Sequence, residues 1–300
     1  MSLRRRLLFT LCALCLPALA QPVVEEVPFV TTPDNVTLAL LQLAGVGARD
    51  HVIDLGSGDG RIVITAAKRF GASGLGVEIV PELVRKSRDN ARAAGVAART
   101  EFREQDLFAT DLSRATVVTM YLLPEVNLQL RPRLLAMPAG TRIVSHDWDM
   151  GEWQPDRERT LEVPDKAIGR EKKSRVMLWV VPAQVQGTWC SAGRSGSAAG
   201  AAGGSDRHDL RLEMTQRFQR FSATLRQVRG ANGASGYPAP VAVFDGRIEG
   251  LMLRTESAVL TAQAQLRAAP DGATLQLVQM SGAGADYAGR VFRRAAAAGC

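Results

Sequence analysis

The chain has 300 residues, 46% of them apolar and 22% charged, with a formal net charge of +7. That is the composition of a soluble globular chain with room for one or two domains. Arg4, Arg5 and Arg6 supply three of the positive charges before any acid appears, and the excess left over is too mild to argue for a nucleic-acid partner.

Residues 1–20 read as a secretory signal: three arginines, an apolar run over 7–16, then Pro17-Ala18-Leu19-Ala20 with small residues at the cleavage positions. The run is shorter than the ~20 residues a membrane span requires, and Leu14 before Cys15 is too large for a lipidation site. Export, to a periplasm, is the expectation, with a cytoplasmic location if the signal is not used. Cys12 and Cys15 would leave with the signal. Cys190 and Cys300 would remain and could close the second half with one disulfide, a pairing that spacing alone leaves open.

A helical pattern over 34–44 opens after Pro33 and stops at Gly45. Others cover 61–70, ending at Gly71, and 81–94, starting with a proline suited to a first turn and ending at Gly95. Strands are predicted at 51–55, 74–79, 99–104, 115–121 and 141–146, each short, apolar and bounded by turn residues. Alternating strands and helices imply parallel pairing through right-handed crossovers. Strands at 157–163 and 175–181 have no long helical pattern between them and read as a hairpin. A doubly wound, Rossmann-like sheet of seven strands that ends in an antiparallel pair is the architecture of class I methyltransferases. We assign it to residues 21–183.

Residues 184–205 are dominated by Gly, Ala and Ser and read as a linker region. Residues 206–300 predict a small all-β barrel or sandwich. Leu210, Leu212 and Met214 alternate with Asp209, Arg211 and Glu213 in a strand over 209–218, and Asp245-Gly246 marks a hairpin turn between 241–244 and 247–253. A further strand covers 273–280. Gly187-Thr188-Trp189 is slightly similar to the start of a lipocalin-type barrel. Nothing in this half has metal or nucleophile spacing, and His208 has no partner; a protein-contact or stabilising role is expected.

The chemistry is carried by Asp54-Leu55-Gly56-Ser57-Gly58-Asp59-Gly60, where a strand runs into a glycine-rich turn that opens a helix. A dinucleotide would place its pyrophosphate at that helix N-terminus, and Asp54 and Asp59 would repel it. S-adenosyl-L-methionine instead presents an ammonium and a sulfonium, which an acid beside the turn suits. Glu78, at the end of the second strand, is placed to accept both ribose hydroxyls. Asp106, after the third strand, is placed to accept the adenine amino group while Leu107 or Phe108 covers the ring. Three acids at successive strand ends make one cofactor site.

Pro28-Phe29-Val30-Thr31-Thr32-Pro33, the Asp54 turn, Tyr121-Leu122-Leu123-Pro124-Glu125-Val126-Asn127 and Arg142-Ile143-Val144-Ser145-His146-Asp147 resemble the ATP synthase c-subunit lysine methyltransferase family. They are more distantly similar to the non-SET histone lysine methyltransferases. The resemblance covers about 130 residues and stops before the second domain. It implies methylation of a protein lysine, with Thr31, Thr32 and Pro33 and the end of the fourth strand lining the donor and the lysine channel.

Methyl transfer is an in-line displacement that needs positioning and exclusion of water rather than a metal. A lysine acceptor must arrive neutral, which a narrow apolar channel favours. Tyr121 is the candidate channel wall, its hydroxyl orienting the amine. Glu125 contacts substrate or favours a helix dipole. His146, Asp147 and Trp148 are acceptor-site candidates, while Trp148 and Trp153 could equally close the domain over its terminal hairpin. The alternatives are a small-molecule methyltransferase, or a non-catalytic S-adenosylmethionine-fold binding or assembly module in the periplasm.

Overall fold

In the first half, five short strands stand side by side: β1 (His51–Leu55), β2 (Ser73–Glu78), β3 (Thr100–Glu104), β4 (Val117–Met120) and β5 (Arg142–His146). A computed structural model describes residues 30–166, 171–192, 208–228, 240–256, 262–296 and 300. Residues 1–20, read above as a secretory signal, and residues 193–205 of the region read as a linker lie outside them. Adding β6 (Arg157–Glu162) and β7 (Lys173–Val180), the sheet order is β3-β2-β1-β4-β5-β7-β6, with β1 to β5 parallel and β7 antiparallel to both neighbours. This is the predicted seven-stranded sheet. Its strands run outward from β1 in two directions, and the switch point between β1 and β4 is where such sheets bind ligands.

Four helices cover the sheet: α1 (Asp34–Leu43), α2 (Arg61–Phe70), α3 (Pro81–Ala93) and α4 (Pro124–Leu135). Each buries a short apolar stripe, such as Val36, Leu40 and Leu41 of α1 and Leu130 and Leu134 of α4. α3 and α4 both begin with proline, whose fixed φ and missing N–H suit a first turn. α2 stops at Gly71 in the left-handed conformation.

The chain then enters a closed antiparallel barrel of eight strands: β8 (Gly187–Ala192), β9 (His208–Arg217), β10 (Arg220–Gln227), β11 (Ala242–Glu249), β12 (Met252–Thr255), β13 (Ala262–Ala268), β14 (Thr274–Gly282) and β15 (Val291–Arg294). Eight strands leave an interior that side chains fill, here Trp189, Leu212, Phe221, Phe244, Leu266 and Phe292 among others. β15 pairs with β8 to close the ring, and a disulfide ties Cys190 of β8 to Cys300 with a Cα–Cα distance of 5.5 Å. The Arg294 guanidinium lies 4.4 Å from the centre of the Trp189 ring and donates to the carbonyls of Gln184 and Gln186.

Two sequence expectations need correction here. The region read as a linker over 184–205 includes β8, held in the barrel by backbone pairing to β9 and β15 on either side. Asp245-Gly246 is not a hairpin turn: β11 runs straight through it, and the chain reverses at Gly250, which has φ +57. Gly246 serves a close approach instead, because a Cβ there would lie 2.0 Å from the Arg254 carbonyl oxygen of β12.

Candidate active site

At the end of β1 the backbone makes the predicted glycine turn. Gly56, Gly58 and Gly60 have φ of +76, +53 and +80, a region L side chains avoid. Gly60 is doubly constrained, since a Cβ there would meet Phe102 and Ser87 within 2.8 Å. The N–H groups of Gly56 and Ser57 donate to the Val77 carbonyl, which fastens the turn to β2. Leu55 is fully buried behind it. The Ser57 hydroxyl is buried with no hydrogen-bond partner among the described residues.

Asp54 is 2% exposed and accepts one side-chain hydrogen bond, from the Thr119 hydroxyl of β4 at 2.6 Å. Burial above all, against the pull of that hydrogen bond and with smaller help from the charges of Glu78 and Asp59, pushes its carboxyl up to about 7. Asp59 behaves differently from its expected role as a free acid beside the turn. Burial would raise its pKa, but Arg61 grips both its oxygens at 3.0 and 2.6 Å and holds the carboxyl below the ordinary range. Arg61 also donates to the Thr32 carbonyl, joining the turn to the N-terminal segment.

The Glu78 carboxylate is fixed by backbone donors, Gly58 N–H at 3.0 Å on one oxygen and the N–H groups of Ile79 and Val80 at 2.8 and 3.0 Å on the other. Three of its four acceptor positions are therefore taken, and a hold on two ribose hydroxyls would require one of these bonds to give way. Asp106 is exposed; one oxygen caps a short 3-10 turn by accepting from Phe108 N–H, and Leu107 stands half-buried beside it.

On the other side of the switch point, His146 of β5 is 1% exposed between the hydroxyls of Thr32 at 3.2 Å and Ser174 at 2.9 Å. Tyr121, just past β4, lies over it with ring centres 3.9 Å apart. Burial, together with the Lys166 charge and against the pull of Asp147, lowers the imidazole to about 4. Asp147 adopts φ +61 and accepts from Arg175 N–H at 2.9 Å. Its carboxylate also takes the Tyr121 hydroxyl, and it pairs with the Lys166 ammonium at 2.7 Å. Burial and this acid raise the Tyr121 pKa, so the phenol stays protonated.

Thr32, Tyr121, His146 and Asp147 thus form one cluster. Thr31 is exposed, and Pro33 leads into α1 at the edge of an open cleft lined also by Arg61, Val163 and Asp165. Glu125 is exposed on the first turn of α4 and makes no hydrogen bond to the cluster, a position where its charge favours the helix dipole. The two tryptophans separate: Trp153 is wholly buried, while Trp148 is 43% exposed on the rim. Sequence reasoning missed Thr119, Arg61, Ser174 and Lys166, and also Asn127, whose buried amide donates to the carbonyls of Trp148 and Asp149. Only Arg61, next to the glycine turn, and Asn127, at the end of the Tyr121–Asn127 motif, had a local signal. No group of three or more His, Cys, Asp or Glu placed to hold a metal occurs among the described residues, and none of their helices is long and apolar enough to cross a membrane.

The residues present fit S-adenosylmethionine. Bare backbone lies where a Cβ at Gly56 would strike Leu122 at 2.9 Å, the Ser57 hydroxyl lacks a partner, and the sparsely hydrogen-bonded Asp54 carboxyl suits an ammonium. A parallel sheet reversed at its last strands, with this acid-flanked turn at the switch point, defines an S-adenosylmethionine-dependent methyltransferase.

The chain belongs to the family described as the ANTKMT methyltransferase domain, whose model matches residues 54–157. It is 45% identical over 134 residues to a protein-lysine N-methyltransferase of Saccharolobus islandicus (strain REY15A), covering 44% of this chain and 83% of that one. Identity to the ATP synthase c-subunit lysine N-methyltransferase of Xenopus laevis is 36% over 142 residues, 47% of this chain and 60% of the relative. A solved structure of an RNA methyltransferase from Salinibacter ruber with S-adenosyl-L-homocysteine is 51% identical, covers 52% of this chain and 96% of that one, and has a TM-score of 0.48.

Proposed function

We propose that the chain methylates the side-chain amine of a protein lysine. The observation that carries this reading is the Asp147 carboxylate, which holds a lysine ammonium, that of Lys166, and the Tyr121 hydroxyl at the ends of β5 and β4. An acceptor lysine presents the same group. The names of the relatives, protein-lysine and ATP synthase c-subunit lysine methyltransferases, support it.

S-adenosylmethionine, when bound, supplies a methyl group on a sulfonium for in-line displacement. Asp54 and Glu78 would hold it from β1 and β2, with the turn residues 56–60 against it and Asp106 and Leu107 beyond. Tyr121 walls the acceptor side. Its proton goes to Asp147, leaving lone pairs on the phenol oxygen to accept from the incoming amine and fix its direction. His146 is neutral at physiological pH and adds no charge that would repel an arriving ammonium, which gives its proton to solvent before the neutral nitrogen takes the methyl from sulfur.

Purified protein incubated with methyl-labelled S-adenosylmethionine and a bacterial extract should label protein, and acid hydrolysis should return the label as methylated lysine. Label confined to RNA or to the low-mass fraction would overturn the reading. Tyr121→Phe should cut turnover roughly ten-fold, the scale of one lost orienting contact, with cofactor affinity unchanged within a factor of about two. Unchanged turnover would reduce Tyr121 to a packing residue.

We further propose that the chain is exported, as the arginine-led apolar segment over 1–20 suggests. The Cys190–Cys300 disulfide supports this, because such bonds persist mainly in oxidising compartments. The mass of the natural N-terminus should correspond to cleavage after Ala20, and an intact Met1 on the protein isolated from cells would refute export.

A further inference from the structure

One hairpin tip of the barrel, among its contacts with the methyltransferase half, reaches the segment that follows β5. β9 and β10 are joined by two residues, Phe218 and Gln219, between paired Arg217 and Arg220. Such turns ordinarily use glycine or asparagine where φ is positive, yet Phe218 holds φ +53. A bulky residue stays in that region only when its surroundings over-determine it. Here they do: the Gln216 amide donates to the Phe218 carbonyl at 2.8 Å and to the Ala183 carbonyl at 3.0 Å.

The ring so presented packs against the core under α4 and β5, not against the barrel's own interior. It lies nearly parallel to Trp153, at 13° with centres 6.3 Å apart, and the Arg131 guanidinium of α4 sits 5.7 Å from its centre. Gln219, 3% exposed, donates to the Gln154 carbonyl at 2.6 Å. Nearby, Arg247 of β11 pairs with Asp156 at 2.6 Å, and Asp156 in turn accepts from Val180 N–H.

These contacts converge on residues 148–156. The same segment is held from the opposite side by α4, through Asn127 to the carbonyls of Trp148 and Asp149 and through Arg131 to that of Met150. Its first residues continue directly from Asp147. β7 holds it as well, Trp179 donating to the Trp153 carbonyl at 2.7 Å and Asp156 N–H to that of Leu178; without the barrel the Trp153 ring would lose its stacked partner and the Gln154 carbonyl its side-chain donor.

We propose that Phe218 and Gln219 are positioning residues, through which the barrel sets the loop on the acceptor side of the active site. The proposal rests on the reading of Asp147 and its neighbours as the acceptor side.

Three full-length variants test it: Phe218→Ala, Gln219→Ala and, as a control, Arg220→Ala, whose ion pair with Glu256 stays within the barrel. Amide hydrogen exchange over 148–154, cofactor affinity by titration calorimetry, and label transfer into extract protein are read well below each melting midpoint. Phe218→Ala should raise exchange and cut transfer, each roughly ten-fold or more. Gln219→Ala should do the same to a smaller extent, and keeps the test open if Phe218→Ala does not fold. Cofactor affinity should hold within about two-fold in both, and Arg220→Ala should match wild type. A role limited to packing would lower the melting midpoint and leave transfer untouched. Unchanged exchange in both variants overturns the proposal; so does raised exchange with unchanged transfer, which severs the loop from the acceptor. A wild-type chain that labels no protein would instead overturn the acceptor reading itself, before any variant is made.

Discussion

Asp54→Asn should bind S-adenosylmethionine on the order of 100-fold more weakly, the scale of one lost buried charge contact, and yet be the more stable protein at pH 8. The unfolded chain ionises this carboxyl near 3.8, whereas the folded chain keeps it protonated to about 7. As pH rises through that interval the unfolded state sheds the proton first, so stability falls with rising pH, by about 4 kcal/mol in all. Asparagine has no proton to lose, and its carbonyl can still accept from Thr119. The variant's gain should be near zero at pH 4 and full above pH 7, read from chemical denaturation at the two values. Because a cationic ligand selects the ionised acid, wild-type affinity should rise about ten-fold per pH unit up to 7 and then level off. Calorimetric enthalpies near pH 7 should accordingly depend on buffer, reporting the released proton. No gain in stability at pH 8 would mean that burial does not raise this carboxyl, and wild-type affinity would remove Asp54 from the cofactor site.

What was legible in the sequence was whatever depends on neighbours in the chain. β1, β2, β4 and β5 are short, mostly apolar runs, whereas β3 carries one apolar residue, Phe102, and Asp54, Gly56, Gly58 and Gly60 announce a turn because their spacing alone dictates its backbone. α4 was legible only as a first turn at Glu125, for an equally local reason: Pro132 inside it breaks the pattern, and Leu128 on its surface is 42% exposed, blurring the apolar stripe. Asp245-Gly246 misled because the same dipeptide serves a tight turn or a close strand approach, and only the position of Arg254 decides between them. The site's remaining contacts join residues far apart. Thr119 meets Asp54 across 65 positions, and Gln219 meets Gln154 across another 65. No local pattern encodes such pairs; sheet order and barrel docking create them.

His146 gives the opposite slope. An unfolded histidine takes up its proton near 6.5, while this imidazole, buried between Thr32 and Ser174, resists protonation down to about 4. As pH falls through that interval the unfolded state gains the proton first, and stability is lost by roughly 3 kcal/mol. Over nearly the same range Asp54 stabilises the fold as pH falls, so the two groups largely cancel, and each is exposed by removing the other. Asp54→Asn should therefore show a stability that climbs steeply from pH 4 to 6.5. Adding His146→Asn, which can keep the Thr32 contact but cannot titrate, should flatten that climb, whatever the double variant loses at neutral pH to imperfect packing. If it climbs as steeply as Asp54→Asn alone, the imidazole is not the titrating group. A flat profile would instead mean that His146 is held neutral beside Tyr121, so that the acceptor amine meets one acid, Asp147, and no opposing charge from the residue before it.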